Sequence, residues 1–298
     1  MTAAIKTGVC GWTDSTLLAS GWYPAEVDDP ESRLRYYAAR FPLVENDATY
    51  YAPPAERQAE LWASRTPRGF TMNVKAFAPF TLHHTDPLRL PKDLRESLTD
   101  EARAKRRAYA KDLGPEVLDE LAARFGSALR PLRQVGKLGA LLFQFPPWFA
   151  ISRENKEHLM MKVKEWFPLD RIAVEFRNAT WMSGRNREET LRFLAENSFA
   201  YVTVDEPQGF ASSVPPVAAA TTGLAMVRFH GRNAETWRKA TQTAAERFKY
   251  KYTEEELADW VPRIKSLAGD ADEVHVLMNN CYADYAVTNA QQMARMLS

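Results

Sequence analysis

The sequence predicts an α/β protein of the (β/α)8 TIM-type barrel class, in which eight parallel strands close into a ring inside a layer of helices. Three observations predict this class. The chain has 298 residues, a length that one barrel accommodates. It contains eight short apolar runs, each followed by a polar residue or a glycine. Five of the seven intervals between those run ends span 25–34 residues, which suits one strand, one helix and two loops.

The eight apolar runs are the predicted strands. In chain order they are Ile5–Cys10, Pro42–Val44, Phe70–Val74, Leu138–Phe143, Ile172–Val174, Ala200–Val204, Ala225–Phe229 and Glu273–Met278. A doubly wound open sheet is the second interpretation of this alternation. It is less favoured because no G-x-G-x-x-G motif follows a run, and the nearest approach, Gly8–Trp12, is too short.

Helix signals fall between the runs. Asp29-Pro30 is a typical helix cap followed by a first-turn proline. Thr253–Glu256 has the form of a capping box and begins a second helical pattern, in which Pro262 predicts a kink or break. Tyr285–Leu297 is predicted to be the closing helix.

The interval between the third and fourth strands is 69 residues long, roughly 40 more than an ordinary strand–helix unit needs. We expect a helical insertion at about residues 83–134, carried by a single domain that spans residues 1–298. An apolar stripe from Leu118 to Leu132 runs through it at helical spacing. An exposed stripe would favour a protein-docking module, whereas a stripe buried against the barrel would count against one.

Composition excludes several classes of protein. The 39 Lys and Arg residues balance 38 Asp and Glu residues, so no bulk charge attracts nucleic acid. Two Cys residues build neither a disulfide framework nor a thiolate zinc cluster. No apolar run approaches the ~18 residues of a membrane span, and the first residues lack a signal-peptide pattern. We therefore expect a cytoplasmic protein that has no membrane partner.

Polar residues mark the ends of most predicted strands. Side chains alternate along a strand, so residues two apart share a face, and in a barrel that face can point inward above the packed layers. The predicted ring of polar groups comprises Glu45, Lys75, Gln144, Glu175, Arg177, Asp205, Arg228, His230 and Asn279. The sequence favours a functional pocket inside this ring. The alternative is a solvated rim with internal ion pairs.

Catalytic roles follow from the residue types. Glu45 and Glu175 are candidates for a general acid and base, because carboxylates in unlike environments acquire different pKa values. His230 is a third candidate for proton transfer, although a lone histidine is often a structural donor. Lys75, Arg177 and Arg228 would stabilise an anionic ligand or a developing oxyanion, or would simply neutralise the acids; both interpretations stay open.

Gln144, Asp205 and Asn279 complete the predicted ligand-binding set of the ring. A metal site could also be assembled from Glu45, Glu175, Asp205 and His230, but these residues have no diagnostic spacing. A divalent metal is therefore not favoured, no metal ligand is assigned, and the cofactor stays unknown.

Aromatic residues cluster in the loops after the strands. Trp12 and Tyr51 are assigned to ligand binding, since rim aromatics stack on sugars or bases. Two basic tracts, Arg103–Lys111 and Trp237–Tyr252, could grip phosphates, although solvated helix faces are the simpler interpretation. Cys10 and Cys281 stand at the ends of the first and last strands, so barrel closure predicts that they lie close together as reduced thiols.

A set of motifs spread over the chain indicates a family. The motifs are Gly8-Val-Cys-Gly11-Trp12, Trp22-Tyr23-Pro24, Val44-Glu45-Asn46, Lys75, Phe143-Gln144-Phe-Pro146-Pro147, Ala173-Val-Glu175-Phe-Arg177, Val227-Arg228-Phe-His230-Gly231 and Asn279-Asn280. Together they resemble the YecE-like family, domain of unknown function 72. The resemblance implies a TIM-type barrel and places the family's motif positions on the predicted ring without Asp205. It implies no activity.

Similarity of that barrel to endonuclease-four-type repair enzymes suggests DNA binding for the family, but this sequence has too few well-placed histidines for their zinc chemistry. Three hypotheses follow. The first is an enzyme, of hydrolase or lyase type, whose pocket binds an anionic phosphate- or sugar-bearing ligand. The second is a nucleic-acid-binding protein without turnover. The third is a module that docks an unknown protein partner on the insertion helices.

Overall fold

The computed structural model describes residues 3–210, 212–237 and 244–298. Its core is a closed barrel of eight parallel strands in chain order, with β8 paired to β1. The strands are β1 Ala4–Cys10, β2 Leu43–Asn46, β3 Thr71–Lys75, β4 Leu138–Gln144, β5 Ile172–Glu175, β6 Phe199–Asp205, β7 Leu224–Phe229 and β8 Glu273–Met278. The predicted barrel class is confirmed, and each predicted strand overlaps an observed one.

Helices occupy the intervals between strands. They are Ser15–Ala19, Pro30–Ala38, Glu56–Ser64, Lys92–Glu96, Asp100–Ala104, Ala110–Leu113, Pro115–Ala128, Arg130–Gln134, Arg153–Glu157, Lys164–Trp166, Arg187–Glu196, Ala244–Arg247, Glu254–Ala258, Val261–Asp270 and Tyr285–Leu297. A π-helical turn, His158–Val163, joins two of them. Within the described residues, none of the helices is long and apolar enough to cross a membrane.

The helix signals in the sequence are found where they were predicted. The Asp29 side chain accepts hydrogen bonds from two backbone amides of the following turn, with Pro30 in first position. Thr253 forms the predicted capping box. Pro262 lies in the first turn of a new helix that begins at Val261, so the predicted break falls just before it.

The helices between β3 and β4 pack inward. Leu121, Phe125 and Leu129 are fully buried, and the Phe125 ring lies edge-on to Phe80 and Phe167. The apolar stripe is shared by two helices, because the chain restarts at Arg130 with a proline in the first turn. A buried stripe counts against the hypothesis that this region docks a partner protein.

A polar cluster fills the amino-terminal end of the barrel. We call it the lower cluster and define it as Lys6, Asn73, Arg171, Glu273 and His275. Glu273 pairs with Lys6 at 2.6 Å, with Arg171 at 2.7 Å and with His275 at 3.1 Å. The other imidazole nitrogen of His275 lies 3.1 Å from the Asn73 amide. These contacts form a network at the lower end of the barrel that is centred on the Glu273 carboxylate.

Candidate functional site

The carboxyl ends of the strands form a second polar cluster at the opposite end. We call it the upper cluster, and its members are Glu45, Lys75, Gln144, Glu175, Arg177, Arg228, His230 and Asn279. Hydrogen bonds join these side chains across the barrel. The structure therefore brings together the predicted ring, with Asp205 as its exception.

Arg228 lies at the centre of the upper cluster. Its guanidinium donates to Glu175 through one nitrogen, and through the other to Glu45 at 2.6 Å and to the Cys10 sulfur at 3.4 Å. Arg228 is 1% exposed and both glutamates are fully buried. Burial opposes the charge of Arg228, but Glu175 and Glu45 outweigh it and hold the guanidinium pKa above its usual value.

Glu175 is the most heavily bonded carboxylate of the upper cluster. Besides Arg228, it accepts hydrogen bonds from Gln144 at 2.7 Å and from His230 at 2.9 Å, and it lies 3.5 Å from Arg177. Burial opposes its ionisation, but Arg228 and His230 outweigh that effect and hold the Glu175 pKa well below its usual range. These contacts favour a fixed anion over a proton carrier at Glu175.

His230 is held as a neutral imidazole. A carboxylate can only accept, so the Nε2 that faces Glu175 carries the proton, and Nδ1 accepts from the Asn279 amide at 2.7 Å. Burial lowers the His230 pKa to about 4, against the opposing effect of Glu175. Both ring nitrogens are engaged and the side chain is fully buried. The hydrogen bonds therefore favour an orienting role over proton transfer.

Glu45 differs from Glu175 in having a spare oxygen. Its Oε1 accepts from Arg228, whereas Oε2 is buried without a hydrogen-bond partner among the residues that the structure describes. Burial raises the Glu45 pKa, with Arg228 and Lys75 acting in the opposite direction. Of the two predicted acid/base carboxyls, Glu45 is thus the one with a free acceptor and a pKa shifted toward neutrality.

Lys75 is the last residue of β3. Its Nζ donates to Gln144 Oε1 at 3.0 Å and lies 4.7 Å above the Tyr50 ring. No carboxylate in the described part of the chain comes within 4.0 Å of this nitrogen. Burial, followed by the charge of Arg228, lowers the Lys75 pKa. Lys75 is consequently a half-buried cation without a direct ion pair among those residues.

A pocket of about 630 Å³ opens above the upper cluster. Its walls include Asp47, Tyr51, Lys75, Arg177 and Asn279. Tyr51 is 59% exposed and stands at the rim. The Arg177 guanidinium stacks over the Trp237 ring at 4.7 Å, which fixes its plane. Small polar molecules can therefore reach the two cations, Lys75 and Arg177, from outside.

The prediction for Asp205 is wrong. Its carboxylate lies on the outer face of β6, where it accepts from Trp260 at 2.8 Å and Tyr252 at 2.7 Å and pairs with Arg232 at 2.7 Å. The reason is the strand pleat, because on β6 the even-numbered residues point inward. The neighbouring acid, Glu206, takes the inner position.

Sequence reasoning missed Glu206. One oxygen accepts from the Val214 amide at 2.7 Å, and the other lies 3.3 Å from Arg177. Burial raises the Glu206 pKa to about 7, against the opposing effect of Arg177. The adjacent acids Asp205 and Glu206 could have revealed it. Neighbouring side chains of a strand point to opposite faces, so one of the two acids must face the barrel interior.

The two aromatic residues assigned to ligand binding occupy different environments. Trp12 does not reach the pocket wall; its side chain packs in the apolar core, and its carbonyl accepts from the Tyr23 hydroxyl at 2.6 Å. Tyr51 does line the pocket. Trp12 follows β1 but is part of the apolar core, and the position of a residue in a loop sequence does not show this.

The basic tracts are only partly paired. Lys105 pairs with Glu101 and Asp112, whereas Arg106 and Arg107 are exposed. In the second tract Lys249 lies 4.6 Å above the Tyr282 ring. Arg238 and Lys239 fall outside the described residues.

The cysteine prediction is confirmed. Cys281 Sγ donates to the Cys10 carbonyl at 3.0 Å, and both residues are free thiols. Burial raises the pKa of each thiol well above its usual value. In the ranges that the structure describes, no three His, Cys, Asp or Glu side chains are grouped to hold a metal ion.

The fold and this site define a TIM-type barrel protein with a polar pocket at the carboxyl ends of its strands. Residues 6–298 match the model of the family described as protein of unknown function DUF72. The chain belongs to the DUF72 family, as the motifs in its sequence indicated.

Known proteins similar to this chain cover it almost completely. UPF0759 protein YunF of Bacillus subtilis (strain 168) is 32% identical over 297 residues, which are 98% of this chain and 94% of YunF. A DUF72 family protein of Enterococcus faecalis V583 has a TM-score of 0.77 and 28% identity, covering 98% of this chain and 95% of its own. A third, from Thermotoga maritima MSB8, has a TM-score of 0.76 and 31% identity, covering 99% of both chains.

Proposed function

We propose that this protein is an enzyme that binds an anionic, phosphate- or sugar-bearing small molecule in the upper pocket and acts on it by proton transfer. The observation that carries the proposal is Lys75, a half-buried cation on the pocket wall with no carboxylate within 4.0 Å in the described residues. A cation that is partly removed from water gains from a close counter-charge, and an incoming anion would supply that partner.

Arg177 supplies the second cation. Its Nη1 is shared between Glu175 at 3.5 Å and Glu206 at 3.3 Å, both longer than a strong charge-assisted hydrogen bond. A phosphate or carboxylate would offer shorter contacts to the same planar guanidinium. Tyr51 at the rim would cover a sugar ring, since aromatic faces stack on such groups.

Glu45 is assigned to proton transfer in this proposal. It combines a free buried oxygen with a pKa that burial raises, the direction that brings a carboxyl closer to acid/base exchange. Glu175 and His230 are positioning residues instead, because their hydrogen bonds are taken up by Arg228, Gln144 and Asn279. They hold Arg228 and the pocket floor in place before a ligand arrives.

Calorimetric titration with glycerol phosphate tests the binding half of the proposal. Lys75→Gln and Arg177→Gln should each weaken binding about tenfold or more, the loss of one charge-assisted contact. Lys92→Gln, at an exposed lysine that pairs with Glu96, is the matched control and should bind as the parent does. Equal affinity in all four proteins would exclude an anion site at this mouth.

Turnover is tested with a panel of phosphorylated metabolites, following consumption of each compound. Glu45→Gln should retain glycerol phosphate binding and lose turnover by roughly 10²-fold or more, the range of general acid–base catalysis. The catalytic half of the proposal fails if parent and Glu45→Gln consume every compound at the same background rate.

Nucleic-acid binding is the second candidate, and a specific feature favours it. A cavity of about 430 Å³ lined by Tyr51, Arg89 and Arg106 adjoins the upper pocket, sharing Tyr50 and Tyr51 with it. This candidate predicts affinity for single-stranded oligonucleotides that falls steeply with salt, and weaker binding after charge reversal of Arg106 and Arg107. Fluorescence anisotropy at several salt concentrations measures both, and salt-independent or absent binding would exclude it.

A further inference from the structure

We propose that Lys75 forms an imine with an aldehyde or ketone that carries a carboxylate or phosphate group. The inference rests on the proposed function, because Arg177 would hold the anionic group while Lys75 meets the carbonyl. It adds a substrate class and a covalent step that anion binding does not require.

Two lysines at opposite ends of the barrel, Lys137 buried and Lys75 half-buried, differ in a way that points to this role. Lys137, which immediately precedes β4, donates to the carbonyls of Ala63 and Thr66 at 2.6 Å each and to the Thr66 hydroxyl at 3.1 Å. An ammonium has three N–H donors, so Lys137 is fully used. Its role is to join the helix Glu56–Ser64 to the barrel.

Lys75 is used far less. Gln144 Oε1 at 3.0 Å is its hydrogen-bond acceptor in the described residues, and the rest of the ammonium faces the Tyr50 ring and the pocket. The Tyr50 ring attracts the ammonium only weakly, and it does not engage the lone pair of the neutral amine. The nitrogen is therefore accessible to a molecule in the pocket, while Gln144 fixes its direction.

The surroundings also favour the neutral amine that attack requires. The side chain is partly removed from water and lies near Arg228, and each of these lowers the Lys75 pKa. Desolvation together with a neighbouring cation is the usual way in which proteins activate a lysine for imine formation. The charges of Glu45, Glu175 and Asp47 act in the opposite direction, so activation depends on the balance within the upper cluster.

The step balances without an oxidant or a reductant. The Nζ lone pair forms a C–N bond to the carbonyl carbon, and the carbonyl oxygen gains a proton to give a carbinolamine. The two amine hydrogens and that oxygen then leave as one water molecule, and a C=N bond remains. Solvent that enters the open pocket would carry the proton from nitrogen to oxygen, since no carboxylate of the described residues lies within 4.0 Å of Lys75 Nζ.

Reductive trapping tests the inference on the full chain. The protein is incubated with glycolaldehyde phosphate, glyoxylate or uncharged glycolaldehyde in the presence of sodium cyanoborohydride, and labelled lysines are located by peptide mass spectrometry. We expect Lys75 to be labelled and Lys137 not to be. Label from glycolaldehyde should accumulate about tenfold more slowly than from glycolaldehyde phosphate, the loss of one charge-assisted contact. The glyoxylate arm shows whether a carboxylate serves as well as a phosphate.

Two variants separate this inference from the function on which it rests. Lys75→Arg keeps the positive charge, so it should still bind glycerol phosphate measurably while losing the trapped adduct. Arg177→Gln should lose the preference for the charged aldehydes but keep an adduct at Lys75. Glycerol phosphate binding without any adduct at Lys75 would overturn the imine and leave the anion site standing. Label spread equally over Lys75 and exposed lysines would overturn it as well.

Discussion

The two ends of the barrel hold polar clusters of similar composition that are organised differently. In the lower cluster the two cations, Lys6 and Arg171, lie within 2.7 Å of Glu273. His275 Nε2 also approaches Glu273 at 3.1 Å, although it makes no hydrogen bond among the described residues. In the upper cluster Arg177 reaches carboxylates only at 3.3 and 3.5 Å, and one Glu45 oxygen has no hydrogen-bond partner among the described residues. Polar groups whose hydrogen bonds and ion pairs are satisfied within the protein stabilise the fold. Groups that keep an unused hydrogen-bonding position are available to a ligand. This contrast supports the proposal that a ligand binds at the upper end.

The largest expected effect is on stability at the centre of the upper cluster. Arg228→Met leaves Glu45 and Glu175 buried without their shared cation, and should lower the free energy of unfolding by ~3–5 kcal/mol. Denaturant unfolding measures the change. Adding Glu45→Gln to Arg228→Met should recover part of the loss, because one stranded charge disappears. A loss below about 1 kcal/mol would show that the upper cluster is far more solvated than the structure indicates.

Disrupting the lower cluster should lower the free energy of unfolding by less, and it should not affect ligand binding in the upper pocket. Glu273→Gln removes the anion shared by Lys6, Arg171 and His275, with an expected loss of about 2 kcal/mol from hydrogen bonds to charged groups. Glycerol phosphate affinity should not change. A Glu273→Gln variant that lost ligand binding would contradict the separation of the two ends.

The same variant has a pH signature. Burial opposes ionisation of Glu273, but His275, Lys6 and Arg171 outweigh it and hold the Glu273 pKa well below its usual range. Because this folded-state pKa is depressed, its contribution to stability is present above the unfolded pKa of about 4.3 and is lost as the pH falls further. Glu273→Gln should therefore flatten the acid limb of unfolding free energy plotted against pH.

Glu206 offers a smaller test at the upper end. Its pKa of about 7 means that it ionises as the pH rises through neutrality, and the new charge competes with a ligand anion for Arg177. Sulfate affinity should fall by about threefold to tenfold across that interval, since sulfate itself does not titrate there. Glu206→Gln should make the affinity independent of pH in this range. Calorimetry at matched ionic strength decides between these outcomes.

The smallest effect is expected at the rim. Tyr51 is 59% exposed, so Tyr51→Ala should change the free energy of unfolding by less than about 0.5 kcal/mol. Glucose 1-phosphate should nevertheless bind about 1 kcal/mol more weakly, the value of a ring stacked on an aromatic face, while glycerol phosphate is unaffected. Equal losses of affinity for glucose 1-phosphate and glycerol phosphate would exclude stacking of Tyr51 on the sugar.

Sequence reasoning located the strands well because their ends are marked chemically, as at Phe143-Gln144 and Val174-Glu175. It could not determine the face of β6, since strands of a parallel barrel are buried on both sides and carry weak alternation. Asp205 was therefore assigned inward and Glu206 overlooked. The pairing of Arg228 with two glutamates also lay beyond reach, because it depends on distances between β2, β5 and β7 that no spacing along the chain encodes.

The pairing of β1 with β8 has a consequence for how the pocket comes into being. Cys10 and Asn279 both line it, yet they come from strands that meet only when the ring closes. Contacts between residues so distant in sequence form slowly, because the chain must lose loop-closure entropy first. A partly folded chain therefore has no pocket. A ligand that binds in the upper pocket would stabilise the closed barrel relative to every partly folded intermediate.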